Sequence, residues 1–201
     1  MILQSFVQDF AVGIETVDAS CPIWTSAITK RAYAPGIGPH PESATVRLVA
    51  DQLLAARSGA YLRGDTNVPY PAVKKQRCDL VIAASGEVLA IEVKLLRFMG
   101  DNGKPNDNTL MHILSPYPAH RSAVTDCEKL TASGFQGTTA VLIYGFDYED
   151  WPMDPAIDAF EILASRRCDL GLRLTASFER LVHPIHTHGR VFGWTVNAGA
   201  S

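Results

Sequence analysis

The stretch from Arg77 to Lys94, RCDLVIAASGEVLAIEVK, constrains this chain more than any other. Leu80, Ile82 and Ala84 mark one face of a first strand, and Ile91, Val93 and Leu95 mark one face of a second. Period-two patterning with β-branched residues, broken by the turn signal Ser85-Gly86, predicts a β-hairpin. An even-numbered loop centred on Ser85-Gly86 puts Ala84 opposite Glu87, Leu80 opposite Ile91, Asp79 opposite Glu92 and Arg77 opposite Lys94. An odd loop would slip the register by one and break that alignment. Like charges facing across a ladder are destabilising. A carboxylate pair built on rigid strands is therefore expected to hold a cation between its members. Lys94 lies two residues past Glu92 and so projects to the same face.

The segments around the hairpin predict an α/β domain. Residues 1–40 give no clear element and end in a Pro/Gly-rich loop, APGIGPHP. A helix is expected from Pro41, with Val46, Val49, Ala50 and Leu53 at helical spacing and Gly59 as its stop. Glu42 falls on that inward stripe at its N-terminal end, either as a partner of the helix dipole or as part of a site. Residues 60–73 predict a first strand, and residues 98–117 begin as a polar loop suited to the border of a site. A second helix is expected over 118–133, with Ala123, Cys127 and Leu130 buried and Gly134 as the stop. TTAVLIYGF (138–146) predicts a strand, 155–166 a third helix, 173–182 an amphipathic piece and VFGWTV (191–196) a late strand. Nothing marks a linker or a repeat, so residues 1–201 are read as one domain with a core at about 41–146 and a C-terminal extension at about 150–201.

Composition narrows the function classes. Hydrophobic residues make up 47% and charged residues 19%, ordinary for a globular protein. No apolar run reaches the ~20 residues of a membrane span. The N-terminus lacks the basic region of a signal peptide. The four cysteines (Cys21, Cys78, Cys127, Cys168) are scattered without a CxxC, which favours reduced thiols and a cytoplasmic location. Cys168 reads as a buried thiol rather than a nucleophile. Trp151, Trp194, Tyr144 and Phe146 read as core. A net charge of −3 gives no global nucleic-acid signature. Locally, however, Lys74, Lys75, Arg77, Lys94, Arg97 and Lys104 bracket the acidic pair.

The order helix, strand, strand, strand, helix, strand over residues 41–146, with D-x12-E-x-K across the hairpin, resembles the core of the PD-(D/E)xK nuclease superfamily. The resemblance covers about half the chain, and Cys78 stands where the motif name has Pro. It implies a restriction-endonuclease-like αβββαβ fold with a mixed central sheet flanked by helices and N- and C-terminal additions. It further implies a catalytic set of Glu42, Asp79, Glu92 and Lys94. Asp79, Glu92 and, directly or through water, Glu42 would bind Mg²⁺ or Mn²⁺, and Lys94 would orient or activate the attacking water. Hard carboxylate oxygens suit these ions, which neutralise phosphate charge and acidify bound water. DNA is the expected substrate, RNA stays open, and small enzymes of this kind often pair as homodimers to cut both strands. Lys74, Lys75, Arg77, Arg97, Lys104 and His120 are the expected nucleic-acid contacts, with Lys129 and Arg121 as weaker ones. Two rivals stand beside this reading. One is a catalytically inactive member of the fold, serving as a nucleic-acid-binding or protein-interaction module. The other is a zinc site at His183, His186 and His188 in HPIHTHG, a segment that otherwise reads as loop histidines.

Overall fold

A computed structural model describes residues 2–56, 60–84 and 86–197. The expected helix stop at Gly59 and half of the Ser85-Gly86 turn lie outside the described residues. The elements run α1 (Ile2–Ala19), α2 (Glu42–Ala56), β1 (Arg63–Pro69), β2 (Arg77–Ala84), β3 (Glu87–Leu96), α3 (Met111–Leu114), a 3-10 turn (Pro118–His120), α4 (Ala123–Thr131), β4 (Thr138–Phe146), α5 (Asp154–Ala164), β5 (Asp169–Leu170), β6 (Leu174–Phe178) and β7 (Gly189–Asn197). The architecture is α/β, a seven-stranded mixed sheet flanked by helices. Its order is β1-β2-β3-β4-β7, with β5 and β6 sharing the outer edge of β7. Among the described strands, only the central pair β3–β4 is parallel. That position, covered on both faces, explains why both strands read as nearly continuous apolar runs.

Alternation along the strands sorts the core into two layers. Ala140, Leu142 and Tyr144 of β4 join Ile91 and Val93 of β3 against α1 and α2. Val141 and Ile143 join Phe192 and Trp194 of β7 against α4 and α5. Glu92 and Lys94 share the α4 side with Val141 and Ile143, which they face in the β3–β4 register. The hairpin register is the expected one from Ala84↔Glu87 to Leu80↔Ile91, so the loop is even. There the recorded pairing stops. β2 stays with β1 through Val68↔Cys78 and Pro69↔Arg77 while it leaves β3, so neither the expected pairing of Asp79 with Glu92 nor that of Arg77 with Lys94 forms. The two strands fork at Asp79, and a cleft opens in the fork.

Other departures have local causes. The expected helix over 118–133 is split, because Arg121 takes a left-handed conformation (φ 48°) and Ser122 caps α4 by accepting from the Thr125 N–H at 3.3 Å. The unread N-terminus is a helix whose buried side chains, Leu3, Phe6, Val7, Phe10, Ile14 and Val17, keep a helical stripe. The amphipathic piece at 173–182 contains β6, with Ala176 and Phe178 buried in alternation. No described helix is long and apolar enough to cross a membrane. Trp194, Tyr144 and Phe146 are core as expected, whereas Trp151 is exposed.

Candidate active site

The fork leaves β3 amides without a strand partner, and two carboxylates take their place. The Val93 N–H donates to Asp79 Oδ2 at 2.9 Å, and the Leu95 N–H donates to Glu42 Oε2 at 2.7 Å. Glu42 thus does more than sit at the positive end of α2; it reaches across to β3. Beside Asp79, Asn67 of β1 adopts a left-handed φ of 57°, a strained geometry that Asn tolerates better than most residues. Its backbone and side-chain oxygens both accept from Arg77 Nε at 2.8 Å. Arg77 is thereby turned toward the rim of the cleft.

Glu92 is fully buried at the back of the cleft. Its Oε1 accepts a very short hydrogen bond from the Tyr70 hydroxyl and pairs with Lys129 Nζ at 3.2 Å. Lys94 Nζ lies 2.6 Å from Asp126 Oδ2, 3.9 Å from Glu42 Oε1 and 4.0 Å from Asp79 Oδ2, and it donates to the Val93 carbonyl at 3.1 Å. Asp126, wholly buried on α4, holds Lys129 with its other oxygen at 2.6 Å. Sequence reasoning missed Asp126 and Tyr70. It also placed Lys129 on the substrate surface, whereas Lys129 faces inward to Glu92. The available signal was a carboxylate next to Cys127 in an otherwise apolar stripe.

The protonation pattern follows from this crowding. Burial, with Asp126 and Asp79 close by, pushes the Glu92 carboxyl well above the usual carboxylate range against the pull of Lys129. Burial likewise raises Glu42 to about 7, opposed by Lys94 and the Leu95 N–H and reinforced by Asp79 and Asp126. Burial alone would lower Lys94, but Asp126, Glu42 and Asp79 outweigh it and keep the ammonium charged.

The cleft has a volume of about 1220 Å³. Asn67, Lys75 and Arg77 line one wall, and His112, His120 and Arg121 line another, with all four proposed catalytic side chains at its floor. Of the expected nucleic-acid contacts, Lys75, Arg77, Arg97 and His120 border the cleft, while Lys74 and Lys104 are exposed outside its lining. Arg97 is already engaged, through the Gly38 carbonyl at 2.5 Å and Asp101 at 3.7 Å. His120 Nδ1 shares a 2.6 Å hydrogen bond with Ser115 Oγ.

The histidine cluster forms a separate knot. His183 and His186 are fully buried and stacked, with centroids 4.6 Å apart and planes 19° from parallel, while His188 is exposed beside Thr187. Asp101, His183 and His186 offer donor atoms within 4.8 Å of one another, so these three could hold a metal in place of the expected His183, His186 and His188. Their bonding disfavours it. Nearly parallel rings send their in-plane lone pairs alongside each other rather than to one point. His183 Nδ1 already faces the Ile185 and His186 N–H groups at 3.2 and 3.4 Å, which places its proton on Nε2. His186 links Tyr148 Oη at 2.7 Å to Asp101 Oδ1 at 3.0 Å. Gly36 and Gly38 let the APGIGPHP loop approach these rings; a Cβ on Gly38 would lie 2.4 Å from the His186 ring. The cluster ties three loops together.

Comparison of the chain with known protein families, curated proteins and solved structures returns no match.

Proposed function

We propose that the protein is a metal-dependent nuclease that hydrolyses phosphodiester bonds of DNA, with Asp79, Glu92, Lys94 and Glu42 as its catalytic set on a restriction-endonuclease-like core. The observation that carries this reading is the charge balance of the cleft floor. Four carboxylates (Glu42, Asp79, Glu92, Asp126) meet two ammonium groups (Lys94, Lys129) in ion pairs of 2.6 to 4.0 Å. Fully ionised, four negative and two positive charges leave a surplus of two, which one divalent cation balances. Burial is the main cause of the raised carboxyls of Glu42 and Glu92, and the neighbouring acids add to it. The element order from α2 to β4 and the fork at Asp79 support the scaffold.

Asp79 and Glu92, with Glu42 beside them, are the oxygen donors that suit Mg²⁺ or Mn²⁺. A bound ion would neutralise phosphate charge and acidify a water molecule. Lys94, held charged by three carboxylates, orients the attacking water and opposes charge on the phosphate; it does not take a proton. Lys75 and Arg77 on one wall and His120 and Arg121 on another favour phosphate contacts. Cutting both strands of a duplex at once would take two such sites, hence a homodimer.

The test is incubation of plasmid, linear DNA and RNA with purified protein in Mg²⁺, Mn²⁺ or EDTA, alongside Asp79→Ala and Lys94→Ala. Cleavage that needs the metal and disappears in both variants is expected. Cleavage that survives both substitutions sinks the site. DNA binding without cleavage of any substrate favours a non-catalytic module instead.

A further inference from the structure

Asp126 has no place in the catalytic set, yet it is the most committed charge in the cleft. It is wholly buried, and its neighbours along α4 (Val124, Thr125, Cys127 and Leu130) are buried too. A carboxylate there costs several kcal/mol unless it is paired. Each oxygen holds one ammonium, Oδ2 on Lys94 and Oδ1 on Lys129, both at 2.6 Å. Lys129 in turn meets Glu92 on the same oxygen, Oε1, that accepts the Tyr70 hydroxyl. Two fixed donors on one oxygen settle the rotation of the carboxyl, which also hydrogen-bonds Asp79.

We propose that Asp126 is the positioning residue of the site: through Lys94 it fixes the ammonium beside Asp79 and Glu42, and through Lys129 it sets the orientation of Glu92. This role rests on the nuclease reading. The geometry favours it over a purely stabilising ion pair, because the buried carboxylate engages two lysines, and those lysines reach three different acids of the cleft. A simple anchor for α4 needs only one of these contacts. Outer residues that orient a metal ligand typically contribute 10–100-fold to affinity or activity.

The experiment uses the full chain as wild type, D126N, K129M and K129R. Manganese affinity is measured by calorimetry, plasmid cleavage gives kcat and KM, and mass spectrometry follows acylation of Lys94. D126N is expected to bind Mn²⁺ about tenfold more weakly and to lose at least about tenfold in kcat with KM unchanged. Its Lys94 should also acylate faster, as the ammonium is no longer clamped. K129M should lose kcat in the same way and K129R should keep it. A folded D126N that binds Mn²⁺, cleaves and protects Lys94 as wild type does overturns the inference alone. A wild type that neither binds Mn²⁺ nor cleaves overturns the nuclease reading and the role of Asp126 with it. Should D126N not fold, partly exposed Lys129 carries the test, and a K129M protein with wild-type kcat overturns the proposal.

Discussion

The protein buries two clusters of ionisable side chains and treats them in opposite ways. In the fork of the sheet, four acids and two lysines are crowded together with a surplus of negative charge, and two of the acids are pushed toward their neutral forms. In the knot at the end of the sheet, His183 and His186 are kept neutral, and His186 bonds to Tyr148 and Asp101 through both ring nitrogens. A hydrogen-bonded network of this kind stabilises the loops that it joins, even with the buried His183 Nε2 lacking a partner among the described residues. One that leaves charge unbalanced stores a cost, which selection tolerates where a ligand will balance it.

The largest expected effect breaks the comparison on the fork side. Asp79→Asn keeps an oxygen for the Val93 N–H but removes one surplus charge. Cleavage should fall at least about 100-fold, while thermal unfolding in EDTA should move to higher temperature. A lower melting point would mean that the acids are not in mutual repulsion. Next comes His186→Ala in the knot. It removes a fully buried ring and one of the hydrogen-bond partners of the Tyr148 hydroxyl, at a cost of about 2–4 kcal/mol in urea unfolding. Manganese affinity and kcat should hardly change; loss of bound metal in this variant would revive a metal site there. The smallest effect is the pH dependence of stability. Burial holds His183 and His186 below the ordinary imidazole value of 6.5. As pH falls through that value, the unfolded chain takes up protons that the folded chain refuses. That contribution to stability should therefore drop from pH 7 to pH 5, by up to about 1.4 kcal/mol per histidine per unit, against the opposite contribution of the raised Glu42 and Glu92 carboxyls. The stability difference between wild type and His186→Ala isolates it: that difference should shrink from pH 7 to pH 5, and a pH-independent difference would place the titrating groups elsewhere.

The hairpin beside the fork was largely legible in the sequence; the fork itself and the knot were not. Strand alternation is local, so the positions of Leu80, Ile82, Ile91 and Val93 set the hairpin register, and with it the common face of Asp79 and Glu92. Glu42 could be placed on its helix stripe by spacing alone. Asp126 could not be assigned, because its meaning depends on how close α4 comes to β3, a tertiary distance that no periodicity encodes. Lys129, three residues on, looked like a weaker nucleic-acid contact for the same reason. In the knot, APGIGPHP and HPIHTHG are far apart in sequence and lack regular patterning, so their contact through Gly36 and Gly38 is invisible until the chain is folded. The signals at Ser122 and along α1 were present: a cap residue before an apolar run, and a stripe from Leu3 to Val17.

The fork also changes what holds the central strand in shape. Beyond Ile91, the amides of Val93 and Leu95 are bonded to Asp79 and Glu42 side chains instead of to a neighbouring strand. Their protection from hydrogen exchange is therefore under the control of two acids that also belong to the site. Deuterium uptake at these two positions becomes a gauge of the cleft: replacing or recruiting either carboxylate is registered in the backbone of the strand that carries Glu92 and Lys94.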